Sequence, residues 1–285
     1  EVRAGSFVER PLGAAWTLRA GAWERDVSTG SPELSIRSLA FGPDGSLWAG
    51  GDGWVKVFRD GAWVSVLEAG ELFGAYQIVP VADGTVWVAA GSGVVALRPD
   101  GSTWRPESLD PAPLDFVTSV AVGPDGAIWA GSRGGWAEPS ASTDPDATGL
   151  ARFDGQTWTP QQPLGAPSPE DGELRVNDLL VASDGSLWIA GEELSTPERL
   201  TTRSFVARFA DGAWTVLLDT ASPLVALAEH PDGSILAAGR GVWTFRAGEW
   251  TQELGDVTLE QLSVAPDGSV WVSGENPGGV VYRIP

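Results

Sequence analysis

The sequence predicts an all-β protein assembled from six copies of one four-stranded unit. An apolar run, the dipeptide Asp-Gly and a small-apolar-Trp segment recur six times, with Leu236 once in place of Trp. A second Asp-Gly or Ala-Gly turn, followed closely by Trp, comes later in most copies. A period of roughly 40–50 residues with four strands per unit is typical of a β-propeller. The first dipeptides of the six copies begin at Asp44, Asp83, Asp125, Asp184, Asp232 and Asp267.

Residues 35–66 contain one complete unit. Residues 35–41 are predicted to form strand A, and Asp44-Gly45 turns the chain into strand B at 46–50. Asp60-Gly61 then joins strand C, 55–58, to strand D, 62–66. Asp-Gly between two apolar runs predicts a tight hairpin, because Gly accepts the positive φ that the turn requires.

The two ends of the chain do not repeat the full unit. The last copy supplies strands A, B and C, whereas residues 14–26 resemble a C–D hairpin. We therefore expect a six-bladed propeller of four-stranded antiparallel blades, with the last blade closed by an N-terminal strand at 23–27. In this interpretation residues 1–30 form the closing hairpin, residues 31–285 form the repeats, and the whole is a single domain. Seven blades are the alternative, with a degenerate blade at 1–30.

Most of the fifteen tryptophans occupy positions that recur in every unit. Rings repeated at one position are explained most simply by packing between blades, where large aromatic side chains bury much area. Only Trp54 and Trp136 lie outside the pattern. The strand-B position holds Trp48, Trp87, Trp129, Trp188 and Trp271, the strand-D position holds Trp23, Trp63, Trp104, Trp158, Trp214 and Trp250, and Trp16 and Trp243 share a strand-C position.

The composition and charge of the chain argue against some classes of binding partner. The chain has 18 Lys+Arg against 38 Asp+Glu, a net charge of −20, and this acidity argues against nucleic acid and anionic membrane surfaces. No apolar stretch is long enough for a spanning helix, so we expect no membrane insertion. The chain lacks cysteine and methionine and begins at Glu1, which favours a processed protein that is secreted or held at the cell surface, and a trimmed chain is the alternative.

The repeats resemble the two-component-regulator propeller repeat and the NHL-type repeat over roughly residues 34–285. Residues 42–48, Gly-Pro-Asp-Gly-Ser-Leu-Trp, are also similar to the repeats of the streptogramin-lyase family. The resemblance implies the fold and leaves the function open, because propellers serve as sensors, adhesins, scaffolds, lyases and hydrolases. Lyases of that family rely on histidines and a metal, whereas His230, the one histidine here, lies in a repeat turn. A lyase of that kind is therefore disfavoured.

The face opposite the Asp-Gly turns carries long and variable connections, and binding residues concentrate on such loops. The first polar positions of strand A and the residues that follow strand B are expected to surround the mouth of the central channel. Their mixed charges suit a small polar or zwitterionic ligand, with an aromatic ring as a stacking face. A solvated channel mouth is the simpler alternative. The predicted ligand-binding residues are Arg37, Tyr76, Gln77, Thr118, Arg133, Trp136, Asn177, Asp178, Arg240 and Glu260.

One loop has the spacing of a calcium site. Asp144, Asp146 and Thr148 place oxygens at positions 1, 3 and 5 with Gly149 at position 6, as at the start of an EF-hand loop. The twelfth position is Gly155, not the bidentate Glu that completes such a loop. The sequence therefore suggests calcium as a cofactor only if further ligands come from elsewhere, and an acidic surface loop is the alternative.

Three functional hypotheses follow from these observations. The first is a non-catalytic, extracytoplasmic module that binds a protein partner or a small polar ligand on its variable face and serves in sensing or scaffolding. The second is a carboxylate- or metal-dependent hydrolase or lyase, for which Asp178 and Glu260 would be the acid–base pair. The third is a lectin, which requires solvent-exposed tryptophans in equivalent pockets between blades.

Overall fold

The protein is described from a computed structural model. The structure describes residues 2–5, 15–19, 22–26, 36–68, 72–109, 114, 116–133, 149–164, 173–194, 201–265, 267–274 and 280–284. All the helical or extended elements among these residues are β-strands. Within these ranges there is no helix that could cross a membrane. The chain divides into two compact units, Glu1–Val120 and Ala121–Pro285. The predicted boundary at residue 30 stays a prediction.

Unit 1 contains three antiparallel sheets in sequence order. The first holds β1 (Val2–Gly5), β2 (Ala15–Arg19) and β3 (Ala22–Asp26). The second holds β4 (Ile36–Phe41), β5 (Leu47–Gly51), β6 (Val55–Arg59) and β7 (Ala62–Leu67). The third holds β8 (Gln77–Pro80), β9 (Val86–Ala89), β10 (Val94–Asp100) and β11 (Thr103–Leu109).

The next four sheets begin with β12, whose first residues belong to unit 1. They hold β12 (Val117–Val122), β13 (Ile128–Ser132), β14 (Leu150–Phe153) and β15 (Trp158–Pro160), then β16 (Glu173–Val181), β17 (Leu187–Leu194), β18 (Thr201–Ala210) and β19 (Ala213–Thr220). The last two hold β20 (Leu224–Glu229), β21 (Ile235–Arg246) and β22 (Glu249–Thr258), then β23 (Gln261–Val264), β24 (Val270–Gly274) and β25 (Val280–Ile284).

These sheets are the blades of a β-propeller, so the predicted fold is confirmed. Six sheets carry the six Asp-Gly repeats, consistent with six blades. Strand β21 contains two strands of its repeat, because residues 235–239 pair with β20 and residues 242–246 pair with β22. The predicted closing strand at 23–27 forms β3, which pairs with β2. Closure of the last blade by this strand stays a prediction.

The hairpin turns have the backbone geometry that their sequences predict. At the strand C–D turns, Asp60, Asp211 and Ala247 have φ between 50° and 52° and are each followed by a glycine of positive φ. Two successive residues of positive φ define a type I′ turn, whose twist matches that of the flanking strands. The Asp-Gly turns therefore fix the register of each hairpin and the direction in which its side chains point.

Four of the five strand-B tryptophans, Trp48, Trp87, Trp129 and Trp188, are buried, as expected for packing between neighbouring blades, and Trp271 is half-buried. Trp48 meets Trp104 of the next blade edge to face, with 4.8 Å between the ring centroids. Trp188 meets Trp250 in the same way at 6.4 Å. Trp54, which stands outside the repeated positions, is only 2% exposed and belongs to the core with Ile36.

A short hydrogen-bonded chain links each of several strand-B tryptophans to its Asp-Gly turn. The Trp188 indole N–H donates to Ser186 Oγ at 2.9 Å, and the Ser186 hydroxyl donates to Asp184 Oδ1 at 2.5 Å. Arg208 completes the chain by donating to Asp184 Oδ2 at 2.7 Å. The part of this chain that runs from tryptophan through serine to aspartate also occurs at Trp48, Ser46 and Asp44 and at Trp271, Ser269 and Asp267. These tryptophans are therefore held by the fold.

Candidate functional site

The predicted ligand-binding residues fall in both units, which are described here separately. Trp136 and the predicted calcium ligands Asp144, Asp146 and Thr148 lie outside the described residues. Within the described part of the chain, no group of three or more His, Cys, Asp or Glu side chains is arranged to hold a metal ion. In unit 1 the described candidates are Arg37, Tyr76, Gln77 and Thr118, and in unit 2 they are Arg133, Asn177, Asp178, Arg240 and Glu260.

In unit 2 a charged cluster surrounds Arg133, the residue that follows β13. It consists of Arg133, Arg175, Asn177, Asp178, Glu192 and Glu260, and we call it the unit 2 charged cluster. Burial is the largest cause that lowers the pKa of Arg133, and the neighbouring Arg175 lowers it further, whereas Asp178, Glu192 and Glu260 raise it. The Arg133 side chain is nevertheless exposed. The side chain is therefore partly desolvated although its surface is exposed.

Asn177 ties the two inner strands of its blade to the next blade. Its Nδ2 donates to the backbone carbonyl of Leu224, on β20, at 2.8 Å and to Glu192 Oε1, on β17, at 3.2 Å. Glu192 is only 9% exposed. A buried carboxylate is costly unless it is hydrogen-bonded, so Asn177 helps to hold Glu192 at the inner edge of this cluster.

Asp178 accepts two backbone hydrogen bonds. Its Oδ1 accepts from the N–H of Leu179 and its Oδ2 accepts from the N–H of Leu227, on the first strand of the next blade, both at 2.8 Å. This arrangement fixes the carboxylate and links two blades. Asp178 was predicted as a ligand-binding residue, and the structure gives it this structural contact.

Two members of this region were not predicted from the sequence. Arg175 lies opposite Glu192, which in turn lies opposite Ser204, so the three side chains stand side by side on one face of the sheet. Ser204 is fully buried, and its hydroxyl oxygen has no hydrogen-bond partner among the residues that the structure describes. The Nε of Arg175 is likewise buried without a partner among them. The alternation of strand A could have pointed to Arg175, because it lies two residues before Asn177.

Arg240 and Glu260 lie at the ends of inner strands, as expected. The backbone N–H of Arg240 donates to the Pro223 carbonyl at 3.2 Å, and that of Glu260 donates to the Ser273 carbonyl at 2.8 Å. Both side chains are exposed. Glu260 acts on the pKa of Arg133 and so belongs to the unit 2 charged cluster. Arg240, like these residues, lies at a strand end.

In unit 1 Arg37, Asp52 and Tyr76 lie together where strands β4, β5 and β8 begin or end. Arg37 donates from Nε to Asp52 Oδ1, and its guanidinium carbon lies 4.9 Å from the centroid of the Tyr76 ring. Burial raises the pKa of Tyr76, the positive charge of Arg37 lowers it, and the negative charge of Asp52 raises it. The structure therefore brings together Arg37 and Tyr76, two predicted residues, and adds Asp52.

The other two unit 1 candidates are Gln77 and Thr118. Gln77 Oε1 accepts from the backbone N–H of Val120 at 2.7 Å, and Ser38 Oγ accepts from that of Ile78 at 3.1 Å. Gln77 and Ser38 thus occupy the position that Asp178 occupies in unit 2. Thr118 Oγ1 is buried and has no hydrogen-bond partner within the described part of the chain.

His230 lies in a turn on the opposite face, as the sequence predicts. Its Nε2 is 3.0 Å from the carbonyl of Gly268 and its Nδ1 is 2.7 Å from Asp232 Oδ1. A cavity of about 210 Å³ beside it is lined by Ser183, Glu229, His230, Pro231 and Gly233. Ser183 donates to both oxygens of Glu229, so these groups are engaged with one another.

Comparison with solved structures supports the fold. No protein-family model matches the sequence, and no curated protein is significantly similar to it. The chain is similar to the extracellular domain of the putative one component system BT4673 from B. thetaiotaomicron, with a TM-score of 0.62 and 14% identity. The match covers 98% of this chain and 38% of that one, so the chain spans well under half of its length.

Two further structures show the same likeness. YCF48 bound to D1 peptide has a TM-score of 0.63 and 14% identity, over 96% of this chain and 86% of that one. A virginiamycin B lyase from Staphylococcus aureus has a TM-score of 0.57 and 13% identity, over 88% and 84%. At such identities the likeness concerns the fold alone. The chain is a β-propeller, and the resemblance that its repeats predict is confirmed at the level of fold.

Proposed function

We propose that this β-propeller is a non-catalytic, extracytoplasmic binding module that takes a small polar or zwitterionic ligand at the unit 2 charged cluster. The observation that carries the proposal is the state of Arg133. Its side chain is exposed, yet burial is the largest cause that lowers its pKa, while the carboxylates of Asp178, Glu192 and Glu260 raise it. An anionic ligand group would supply charge-assisted hydrogen bonds to this partly desolvated cation.

The carboxylates of the same cluster favour a ligand that carries both charges. Glu192 and Glu260 act on the pKa of Arg133, so negative charge lies close to the site of the anionic group. A simple anion would be repelled by these carboxylates, whereas a zwitterion places its ammonium group near them. Amino acids and short peptides have this chemistry.

The surroundings of Asp178 support a non-catalytic role. Both of its oxygens accept backbone hydrogen bonds, so protonating either one would weaken a contact that links two blades. A carboxylate committed in this way is a poor proton donor for a substrate, which weighs against the pair of Asp178 and Glu260 as acid and base. The burial of the strand-B tryptophans Trp48, Trp87, Trp129 and Trp188 weighs similarly against a lectin.

Two of the structural relatives agree with the remaining parts of the proposal. BT4673 contributes an extracellular domain, which accords with an extracytoplasmic location for this chain. YCF48 is bound to a peptide, which accords with a protein or peptide partner. Calcium at Asp144, Asp146 and Thr148 stays a prediction that the same experiment can address.

The test is a thermal-shift screen of the purified protein followed by calorimetric titration of the hits. The probes are glycine, L-glutamate, L-arginine, glycylglycine and neutral monosaccharides, each with calcium and with a chelator. Ligand at about 100 times its Kd should stabilise the fold by roughly 2.7 kcal/mol. We expect an amino acid or dipeptide to bind and Arg133→Ala to abolish that binding. Arg105→Ala, which removes an exposed positive charge on β11, is the matched control.

Two results would overturn the proposal. If Arg133→Ala binds the hit as tightly as the wild type, the ligand lies elsewhere. If only neutral sugars bind, the charges of this cluster play no part in recognition. A shift that requires calcium and disappears with the chelator would support the loop at Asp144.

A further inference from the structure

Phe73 is unusually exposed for a large apolar side chain. It is 67% exposed, and it is one of three such side chains in the described ranges, together with Phe41 and Val64. Phe41 and Val64 lie on strands, whereas Phe73 lies in the connection between β7 and β8. Its ring meets Phe116 edge to face, with centroids 5.8 Å apart. Phe73 is therefore held in a cluster although most of its surface faces solvent.

Phe73, Tyr76 and Phe116 form what we call the unit 1 aromatic cluster. Tyr76 meets Phe116 at 5.1 Å between centroids. Gly91 lies against all three rings: a Cβ there would come within 2.9 Å of Phe73 and 3.1 Å of Tyr76. Gly91 also has a φ of +73°, which favours glycine. The cluster thus depends on a glycine that lets the rings converge.

The backbone of Phe116 has an unusual conformation. Its φ is 60°, a value that bulky residues rarely adopt. A residue keeps such a conformation only when its surroundings determine it, and unusual backbone conformations concentrate at binding sites. The exposed face beside Phe73 is therefore presented by a fixed support.

The charges next to the cluster in sequence are all acidic. Residues 68–73 carry Glu68 and Glu71, residues 110–116 carry Asp110 and Asp115, and neither segment has Lys or Arg. The whole chain has a net charge of −20. The acidic sequence of both connections and this net charge favour a cationic partner.

The cluster already receives one cation from its own chain. The guanidinium of Arg37 lies over the ring of Tyr76, with 4.9 Å between Arg37 Cζ and the ring centroid. The negative face of an aromatic ring attracts guanidinium and ammonium groups. Phe73 offers a second, exposed ring in the same cluster.

We infer that the unit 1 aromatic cluster binds arginine or lysine side chains of a basic peptide segment from a protein partner. The cation lies against the exposed ring of Phe73, and the net negative charge of the chain attracts the segment. This site belongs to unit 1 and shares no residue with the unit 2 charged cluster. Its test and that of the proposed function therefore succeed or fail separately.

The experiment measures binding of a pentapeptide, Gly-Arg-Leu-Arg-Gly, acetylated and amidated, by calorimetric titration at 0.15 M salt. A second peptide with citrulline in place of arginine keeps the shape and loses the charge. We expect the arginine peptide to bind and the citrulline peptide to bind at least fivefold more weakly. Phe73→Ala should weaken binding roughly two- to fivefold, because it removes the ring without changing the charge.

The control is Phe41→Ala, which removes another exposed ring and should leave the affinity unchanged. Equal affinity of Phe73→Ala and the wild type would mean that charge alone attracts the peptide and would overturn the inference. Equal binding of the citrulline peptide would do the same. Sedimentation of the wild type and Phe73→Ala completes the test, because a dimer that this substitution dissociates would assign the surface to a second copy of the chain.

Discussion

Asp178 and Leu227 are joined across two blades by a hydrogen bond of 2.8 Å from the backbone N–H of Leu227 to the Asp178 carboxylate. Both residues lie on the first strands of their sheets, β16 and β20. The same link joins Gln77 to Val120 in unit 1. Side chains at this position therefore supply an acceptor to the neighbouring blade, and the propeller is held by polar contacts as well as by its tryptophans.

We expect Asp178→Ala to lower the free energy of unfolding by about 1.5–3 kcal/mol. The substitution removes a charged acceptor and leaves two N–H groups, of Leu179 and Leu227, without their partner. Asp178→Asn should lose less, because its amide oxygen can still accept from Leu227. Urea unfolding followed by tryptophan fluorescence measures both. A loss below about 0.5 kcal/mol for Asp178→Ala would show that the link does not stabilise the fold.

The extent to which the sequence predicts the molecule follows from the range of the interactions. Turns such as Asp60-Gly61 and the positions of Trp48 and Trp188 depend on neighbours in sequence, so the repeats predict them. The link from Asp178 to Leu227 spans 49 residues. Its existence depends on how two repeats align in space, and the sequence showed Asp178 only as a polar residue at the start of a strand.

The candidate site likewise contains residues that the sequence predicts and residues that it does not predict. Arg133 and Glu260 were predicted from their places at strand ends, and the negative charge of Glu260 raises the pKa of Arg133. Arg175 and Ser204 were missed because their closeness to Glu192 arises from pairing between strands. Phe73 and Phe116 lie in two connections of dissimilar sequence. The repeat pattern therefore could not predict that the two rings are in contact.

The hydrogen-bonded chain at Trp188 leads to a prediction about the serine in its middle. Ser186→Ala deprives the Trp188 indole N–H of its acceptor and Asp184 of a donor. A buried donor left without a partner costs about 1–3 kcal/mol. Ser234→Ala is the matched control, because Ser234 donates to Asp232 in the same way while Leu236 replaces the tryptophan. Chemical denaturation should show that Ser186→Ala is the more destabilising by about 1 kcal/mol or more, and equal losses would contradict the role of the indole.

The aspartates of the repeat turns lead to a prediction about acid. A hydrogen bond from Ser186 and the charge of Arg208 hold the pKa of Asp184 below its usual value, and Ser46 does the same for Asp44. A carboxyl whose pKa is depressed by folding stabilises the protein above its unfolded pKa of about 3.9 and loses that effect as pH falls through the folded pKa. We expect the free energy of unfolding to fall steadily below about pH 4.

The variant Asp184→Asn separates this effect from the response of the other carboxylates. It should be less stable than the wild type at pH 7, and the difference should shrink as the pH falls toward 2, because protonated Asp184 has lost the same charge. Unfolding curves in urea at pH 7, 5, 3 and 2 provide the measurement. A difference that stays constant over this range would show that Asp184 has the same pKa in both states.

Gly91 and Gly61 permit a matched test of the support beneath the aromatic cluster. Both have positive φ, +73° and +80°, so an alanine is strained at either position. That strain costs about 1–2 kcal/mol. A Cβ at Gly61 would meet nothing within 4 Å, whereas at Gly91 it would meet Phe73 at 2.9 Å and Tyr76 at 3.1 Å. Overpacking costs typically a further 1–3 kcal/mol, so we expect Gly91→Ala to be clearly the more destabilising. Urea unfolding of the two variants gives the difference in the free energy of unfolding directly.

If Gly91→Ala lowers the free energy of unfolding no more than Gly61→Ala, the rings move aside easily. Phe73 is then not held in the fixed orientation that the peptide site requires.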